Sequence, residues 1–324
     1  MKMSTRIAHA VGAAFLALTA LSAPAQNYPS KPITFIVPYP PGGIADNYSR
    51  ALGQRLSERL GQPVIMDNKP GGSLIVGTQA AAKAPADGYT VLLASVSSLA
   101  INVGAFRKLP YDPVRDFSPI SLAFYTPLYL MTSPQLPVKS VKDLIALAKA
   151  HPGKYSFASL GHGTSLHLAG EFFKITAGID LLHVPFKGTT TALPDIMQGR
   201  VDMIFDGGAF LTHAAAGKLR LLAVTSPDRI SSLPQTPTMA EAGVPGYDVV
   251  IWFGVVAPAG TPKPIVDRLA KEIGEIVKET AFRERFISTG VEPVSNTPDA
   301  FVQLIKKDTQ KWTRLLRDAG VEPQ

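Results

Sequence analysis

Short apolar runs alternate with stretches of helical period along most of the chain, an alternation that predicts an α/β protein. Ile33-Thr34-Phe35-Ile36-Val37 reads as a buried strand, closed by the turn-rich Pro38-Tyr39-Pro40-Pro41-Gly42-Gly43. Tyr48, Leu52, Leu56 and Leu60 then recur on one helical face, with Gly61 as the stop. A second strand is expected over 64–66. Pro70-Gly71-Gly72-Ser73 leads into a small-residue helix through Ala84, and a third strand follows over 89–94. Parallel strands joined by crossover helices make this half a doubly wound unit.

The pattern restarts near Pro137. Ser140 with Asp143 three residues on is a capping signature, and Pro152-Gly153 ends that helix. Strands over 155–158, 181–184, 201–205 and 219–224 alternate with helices over 165–176, 190–198 and 209–216. Two apolar stretches, 120–131 and 249–257, lie between the units and read as strands crossing from one to the other. Nine consecutive apolar or glycine residues at 249–257 suit a buried strand and are too few to span a bilayer. The chain closes with helices opened by Thr261-Pro262 and Thr297-Pro298. The last carries Phe301, Leu304, Ile305, Trp312 and Leu315 as its inward stripe. The expected organisation is a discontinuous first domain, 27–124 plus 251–324, with a second domain, 125–250, inserted in it.

The N-terminus changes the picture of where the protein works. Lys2 and Arg6 precede an apolar stretch, and Ala23-Pro24-Ala25 fits a small-x-small cleavage site, so 1–25 reads as an export signal peptide. The mature chain is then expected in the periplasm. Without Lys2 and Arg6 the formal charge falls from +7 to +5, with no Lys/Arg-dense run of the kind that grips nucleic acid. The chain has no cysteine, which removes disulfides, thiol catalysis and Cys-built metal sites.

Chemistry concentrates in two glycine-bearing loops that open helices. Pro40-Pro41-Gly42-Gly43-Ile44-Ala45-Asp46 and Ser159-Leu160-Gly161-His162-Gly163-Thr164-Ser165 each present backbone N–H groups at the positive end of a helix dipole. Neither 32–49 nor 155–173 contains a lysine or arginine, so an anion held between the loops must rely on hydrogen bonds and dipoles. A few such contacts at about 1.5–3 kcal/mol each, less the freedom lost on binding, reach about −8 kcal/mol, which is micromolar affinity. His162 and His167, five residues apart, do not share a helical face, which disfavours a metal pair. His162 reads as a hydrogen-bonding residue in the cleft, His167 as packing at a helix start and His183 as buried structure. Gly161-His162-Gly163-Thr164-Ser165-Leu166 lacks the third glycine of a dinucleotide fingerprint. Gly71-Gly72-Ser73-Leu74-Ile75 misses the last glycine of a nucleophile elbow, and Gly217-Lys218 has no P-loop glycine before it. Asp46 reads as a helix cap; Asp206 is balanced between ligand contact and fixing the loop after its strand.

These residues also carry a resemblance. Val37-Pro38-Tyr39-Pro40-Pro41-Gly42-Gly43 with Asp46, Asn68-Lys69-Pro70-Gly71-Gly72, and Ala86-Asp87-Gly88-Tyr89-Thr90 stand in the first half. Gly163-Thr164-Ser165-Leu166-His167-Leu168-Ala169-Gly170-Glu171, Val184-Pro185-Phe186-Lys187-Gly188 and Trp252-Phe253-Gly254 follow in order. The chain resembles the tripartite tricarboxylate transporter receptors, the Bug or TctC family. The resemblance implies a type II periplasmic binding fold, two doubly wound lobes joined by two crossing strands. It also implies a monomer that holds a small carboxylate between its lobes and serves a two-subunit membrane permease, with no cofactor. The candidate contacts are Tyr39, Pro41, Gly42, Gly43, Asp46, Ser73, Ser98, Ser159, Gly161, His162, Gly163, Thr164, Ser165, Phe186, Lys187, Gly188 and Asp206. Two positions depart from the family pattern: Ser98-Leu99 stands where Thr-His is common, and His162 where a small polar residue is usual. The two changes point to a ligand with one gripped carboxylate and a less polar aromatic or aliphatic body. Presentation of the acid to a membrane sensor kinase is the alternative role; an enzyme on the same fold is the other.

Overall fold

Local sequence accounts for the first crossover. In a computed structural model, which describes residues 28–230, 232–247, 249–318 and 320–324, β1 (Ile33–Val37) runs into α1 (Ile44–Leu60). Ala45, Tyr48, Leu52 and Leu56 of α1 are buried. Gly61 ends it in the left-handed region at φ 70°, its N–H donating to Ser57 O. The expected leader over 1–25 lies outside the described residues.

After β2 (Val64–Asn68) the helix expected directly from the Pro70–Ser73 loop starts late. Ser73 and Leu74 take φ of 53° and 74°, so a single 3-10 turn over Gly72–Leu74 intervenes and α2 is only Ile75–Ala82. β3 (Thr90–Ser95) is followed by a turn of π-helix, Ser97–Ile101, and the short α3 (Asn102–Ala105). β4 (Phe117–Pro127) and β5 (Tyr129–Thr132) follow with only Leu128 between them. Then come α4 (Val141–Ala150), β6 (Ser156–Ser159), α5 (Ser165–Ala177), β7 (Leu182–Pro185), α6 (Thr189–Met197), β8 (Met203–Asp206), α7 (Leu211–Ala215) and β9 (Arg220–Val224). The chain returns through β10 (Val250–Pro258), α8 (Lys263–Ile276), α9 (Thr280–Ile287), β11 (Glu292–Pro293) and α10 (Pro298–Asp318).

Two sheets result. One has the order β11-β4-β10-β3-β1-β2, with β1 parallel to β2 and β3 and β10 antiparallel to β3 and β4. The other has the order β7-β6-β8-β5-β9, with β6 parallel to β7 and β8 and β5 antiparallel to β8 and β9. Each sheet with its helices is one lobe. The chain passes from the first lobe to the second at Leu128, between β4 and β5, and returns at β10. The stretch expected as one strand is thus two strands in different sheets, because the direction of pairing changes at that residue.

Thr225 ties the two crossings together. Its N–H donates to Leu128 O at 2.8 Å and its hydroxyl accepts from Leu128 N at 2.7 Å. The same hydroxyl donates to Val249 O at 2.5 Å, and Val249 N donates to Thr225 O at 3.1 Å. All three residues are buried.

In the first lobe α10 lies across the sheet with Phe301, Ile305, Trp312 and Leu316 buried; Leu304 and Leu315 of the expected stripe are only half-buried. It packs closely on Gly254, where β10 shifts register against β4. A Cβ there would overlap the Phe301 ring and lie 2.9 Å from Ser121 O. Phe301 is enclosed and the carbonyl belongs to the sheet, so neither can yield. Gly254→Ala is therefore expected to destabilise the fold by about 2 kcal/mol. A denaturant titration checks it; an unchanged midpoint would mean that the helix lifts off without penalty.

Candidate ligand-binding cleft

The lobes meet along a seam. Ser165, at the start of α5, donates its N–H to Ser97 Oγ at 2.9 Å, and the two hydroxyls stand 3.1 Å apart. A Cβ on Gly161 would come 2.7 Å from Ser73 Oγ, one on Gly163 would overlap Ala105, and one on Gly188 would overlap the Pro40 ring. Within the seam lies a cavity of about 40 Å³, lined on the first lobe by Tyr39, Pro40, Gly43, Ile44, Ala45, Ile251 and Phe253 and on the second by Leu160, Leu166, Thr189, Asp206 and Gly207. That volume accommodates a few waters or one carboxylate group, not a whole acid.

Three helices of 17, 13 and 9 residues start at its wall: α1 after Gly43, α5 after Thr164 and α6 after Gly188. The first turn of each leaves N–H groups without an intrahelical acceptor, and each dipole end favours an anion by about 0.3–2 kcal/mol. No lysine or arginine lines the cavity. Its lining is largely apolar, with Asp206 as the single ionisable carboxylate.

Asp206 is fully enclosed. Its Oδ1 accepts from Gly208 N at 2.9 Å and Phe210 N at 3.2 Å, so it does fix the loop after β8 while also facing the cavity. Burial pushes its carboxyl up to about 6, and the loop N–H groups only partly offset that. Tyr39, also on the wall, donates to Ser95 Oγ at 2.9 Å, and burial raises its phenol well above the usual range.

The other expected contacts fall into distinct places. Gly43 lies on the wall. Pro41 and Gly42 are exposed beside it, a Cβ on Gly42 being 3.7 Å from Thr190 Cγ2. Asp46 does not cap α1 in the usual sense. Its Oδ2 reaches back to Gly42 N and accepts from Arg50 Nε, both at 2.9 Å, and its Oδ1 accepts from Asn68 Nδ2. Burial opposes its charge, but Arg50, the Gly42 N–H and Asn68 outweigh it and hold the carboxyl below the usual range. Ser98 is turned inward, its hydroxyl accepting from Ser95 N at 3.0 Å, and its carbonyl accepts from Tyr111 Oη.

In the second loop Ser159 Oγ accepts from Gly161 N and lies 2.5 Å from His183 Nε2. Thr164 caps α5, its Oγ1 accepting from His167 N and donating to Gly161 O. Gly161 and Gly163 sit at the seam with φ of 108° and 72°. His162 packs edge-on against Phe106 with its Nε2 enclosed and unpartnered. It stands with His167 and His183 in a stack whose neighbouring ring centroids are 5.0 and 4.1 Å apart. Burial, then the crowding of the imidazoles on one another and on Lys174, lowers His167 to about 3 and His183 to about 4. Among the described residues no group of three or more metal-ligating side chains is arranged to hold a metal ion. Phe186 is half-buried in the second lobe, Lys187 is exposed, and Gly188 seals the rim against Pro40.

Of the expected set, Tyr39, Gly43 and Asp206 come together on the cavity wall. The expected contacts left out Pro40, Ile44, Ala45, Leu160, Leu166, Thr189, Gly207, Ile251 and Phe253. All but the last two adjoin an expected contact directly in the chain, the signal that could have found them.

Comparison with known proteins agrees with this architecture. The model of the tripartite tricarboxylate transporter family receptor matches residues 48–321. Protein BugT of Bordetella pertussis is 38% identical over 322 residues, covering 98% of each chain. The periplasmic binding protein BugD superposes with a TM-score of 0.88 at 34% identity, over 92% of this chain and 100% of BugD. R. palustris Rpa4515, solved with adipate, gives a TM-score of 0.89 at 34% identity and the same coverage. With a type II periplasmic binding fold and a family model spanning most of its length, the chain belongs to the tripartite tricarboxylate transporter receptors, a family of periplasmic solute-binding proteins.

Proposed function

We propose that the cavity between the lobes holds one carboxylate of a small organic acid and that the receptor delivers this acid to a two-subunit membrane permease. The observation that carries the reading is the convergence of three helix N-termini from both lobes on a cavity without lysine or arginine. Backbone N–H groups recognise a carboxylate by geometry, while Ile44, Leu160, Leu166, Ile251 and Phe253 favour an apolar body behind it. A dicarboxylate with a methylene chain, such as the adipate of the Rpa4515 structure, or an aromatic acid fits that lining better than citrate. The lobes, divided at Leu128 and at the start of β10, move as units and separate at the Pro40–Gly188 rim to admit the ligand. The receptor acts as a monomer, exported by residues 1–25, and binds its acid without chemical change.

A thermal-shift screen of the mature chain against adipate, malate, benzoate and citrate, followed by calorimetry, tests this. One acid at about a hundred times its Kd is expected to add about 2.7 kcal/mol of stability and to be recovered intact. Gly43→Val, whose side chain would enter the cavity beside Thr189 Oγ1, is expected to weaken binding at least tenfold. Turnover of the acid, or a melt that no carboxylate moves, would refute the reading.

A further inference from the structure

Positive charge is concentrated on one face of the first lobe. α10 is about 30 Å long, and its apolar stripe packs on the sheet, with Phe301, Ile305, Trp312 and Leu316 buried. On its outward side, from Gln303 to Arg317, the exposed residues are Lys306, Lys307, Lys311, Arg314 and Arg317, with neutral Gln303, Gln310 and Thr313 between them. The helical period gathers the five basic residues within an arc of about 140°. Asp308, the one acid in that span, is half-buried and accepts from Trp252 Nε1 at 2.6 Å. Net of Asp308, the span carries four of the five surplus positive charges that remain on the chain without residues 1–25.

We propose that this face of α10 rests on an anionic phospholipid bilayer, so that the receptor searches for its permease along the membrane surface. Several basic side chains on one amphipathic helix are the pattern that anionic headgroups attract. Charges elsewhere on the lobe are offset locally. On α8 and just beyond it, Lys263 pairs with Asp267, Arg268 with Glu272 and Lys278 with Glu275. Among the described residues Lys306, Lys307 and Lys311 are in no ion pair, and Lys311 only overlies the Trp312 ring, 5.3 Å from its centroid. Lys307 and Lys311 are four residues apart, and Lys311, Arg314 and Arg317 follow at intervals of three. Like charges at those spacings repel, and an anionic surface relieves the repulsion.

A lipid surface fits this face better than a protein partner does. No aromatic or aliphatic side chain is exposed between Gln303 and Arg317, so the face lacks the apolar anchors on which protein interfaces depend. With the apolar stripe turned to the sheet, nothing on the face enters hydrocarbon, and binding is electrostatic and reversible. Arg107 and Lys108, exposed after α3, continue the basic surface past the last turn of α10, where Gln324 N donates to Ala105 O and Arg107 N to Gln324 O. Glu322 is the exposed acid there. All five residues of the helix belong to the first lobe and none lines the carboxylate cavity. Docking on lipid and capture of the acid can therefore fail separately.

The test is co-sedimentation of the full mature chain with vesicles of equal parts phosphatidylglycerol and phosphatidylcholine, and with vesicles of phosphatidylcholine alone. At about 0.01 M salt, where the screening length is about 30 Å, binding is expected to the first and not to the second. It should vanish at about 1 M, where that length is about 3 Å. Lys306→Gln, Lys307→Gln and Lys311→Gln combined should weaken binding about a hundredfold, since each basic residue near such a surface contributes about fivefold. Lys31→Gln, Lys263→Gln and Lys278→Gln combined remove as much net charge, but from sites already offset by Asp87, Asp267 and Glu275. That second triple variant should stay within about threefold of the parent. All six lysines are exposed, so both triple variants should keep the parent's melting midpoint. Equal binding to the two kinds of vesicle, or equal losses in the two triple variants, overturns the proposal. So does a failure to sediment at low salt, which would assign the face to an acidic protein instead.

Discussion

Asp206→Asn is expected to be nearly neutral at pH 4 and to stabilise the protein by about 3 kcal/mol relative to the parent at pH 7. The asparagine oxygen can still accept from Gly208 N and Phe210 N, so the loop after β8 keeps its anchor. What changes is the charge. With its carboxyl raised from 3.8 to about 6 by burial, the folded parent holds a proton there that the unfolded chain has released. The parent's stability from this group is therefore fully present below about pH 3.8 and lost as pH rises through about 6. A two-unit shift is worth about 3 kcal/mol. His167 and His183, lowered to about 3 and about 4, act in the opposite sense over the same range, because the unfolded chain protonates them first. Denaturant unfolding of parent and variant side by side removes that contribution, and a difference that does not grow with pH would sink the argument.

The same group is expected to govern binding. An acid entering beside an ionised Asp206 meets a like charge in a wall without cations, so binding should take up a proton near neutral pH. Affinity is expected to rise about tenfold from pH 7.5 to 5.5 in the parent and to stay flat in Asp206→Asn. Calorimetry in buffers of different ionisation heat reads the proton directly. Equal slopes in the two proteins would place the ligand's charge elsewhere.

Thr225→Val should cost about 3 kcal/mol although it keeps the shape of the side chain. The lost hydroxyl leaves Leu128 N–H and Val249 C=O without partners in a region closed to water, and each orphan costs about 1–3 kcal/mol. Thr225→Ser should recover most of it. The residue joins both crossings, so the amide of Leu128 should also exchange with solvent faster in the valine variant. A midpoint within a few tenths of a kcal/mol of the parent would show that water reaches the hinge.

Much of this architecture was legible in the chain because it rests on local rules. The alternating periods gave the strands and helices of both lobes, Gly61 the end of α1, and Ser140 with Asp143 the cap of α4, whose hydrogen bond is present at 3.1 Å. What escaped depends on distant partners. Ser73 and Leu74 take left-handed backbone that no propensity favours, so α2 begins late. The break at Leu128 separates two strands of one apolar run, and only pairing with β10 on one side and β8 on the other distinguishes them. Ile251 and Phe253 read as strand interior, and nothing local reveals that the face they share meets the cleft. His162 packs on Phe106 where the lobes meet, a contact with a distant element that its glycine neighbours do not foretell.

A four- to six-carbon acid needs more room than the cavity's 40 Å³, so if it binds there as proposed, the lobes are expected to stand further apart around it than they do in this structure, and further again around a longer chain. With both crossings pinned at Thr225, the extra length emerges as an angle, largest at the rim where Pro40 faces Gly188. Any protein that rests on both lobes at once can thus gauge the cargo from outside, by the width of its footing, without touching the acid.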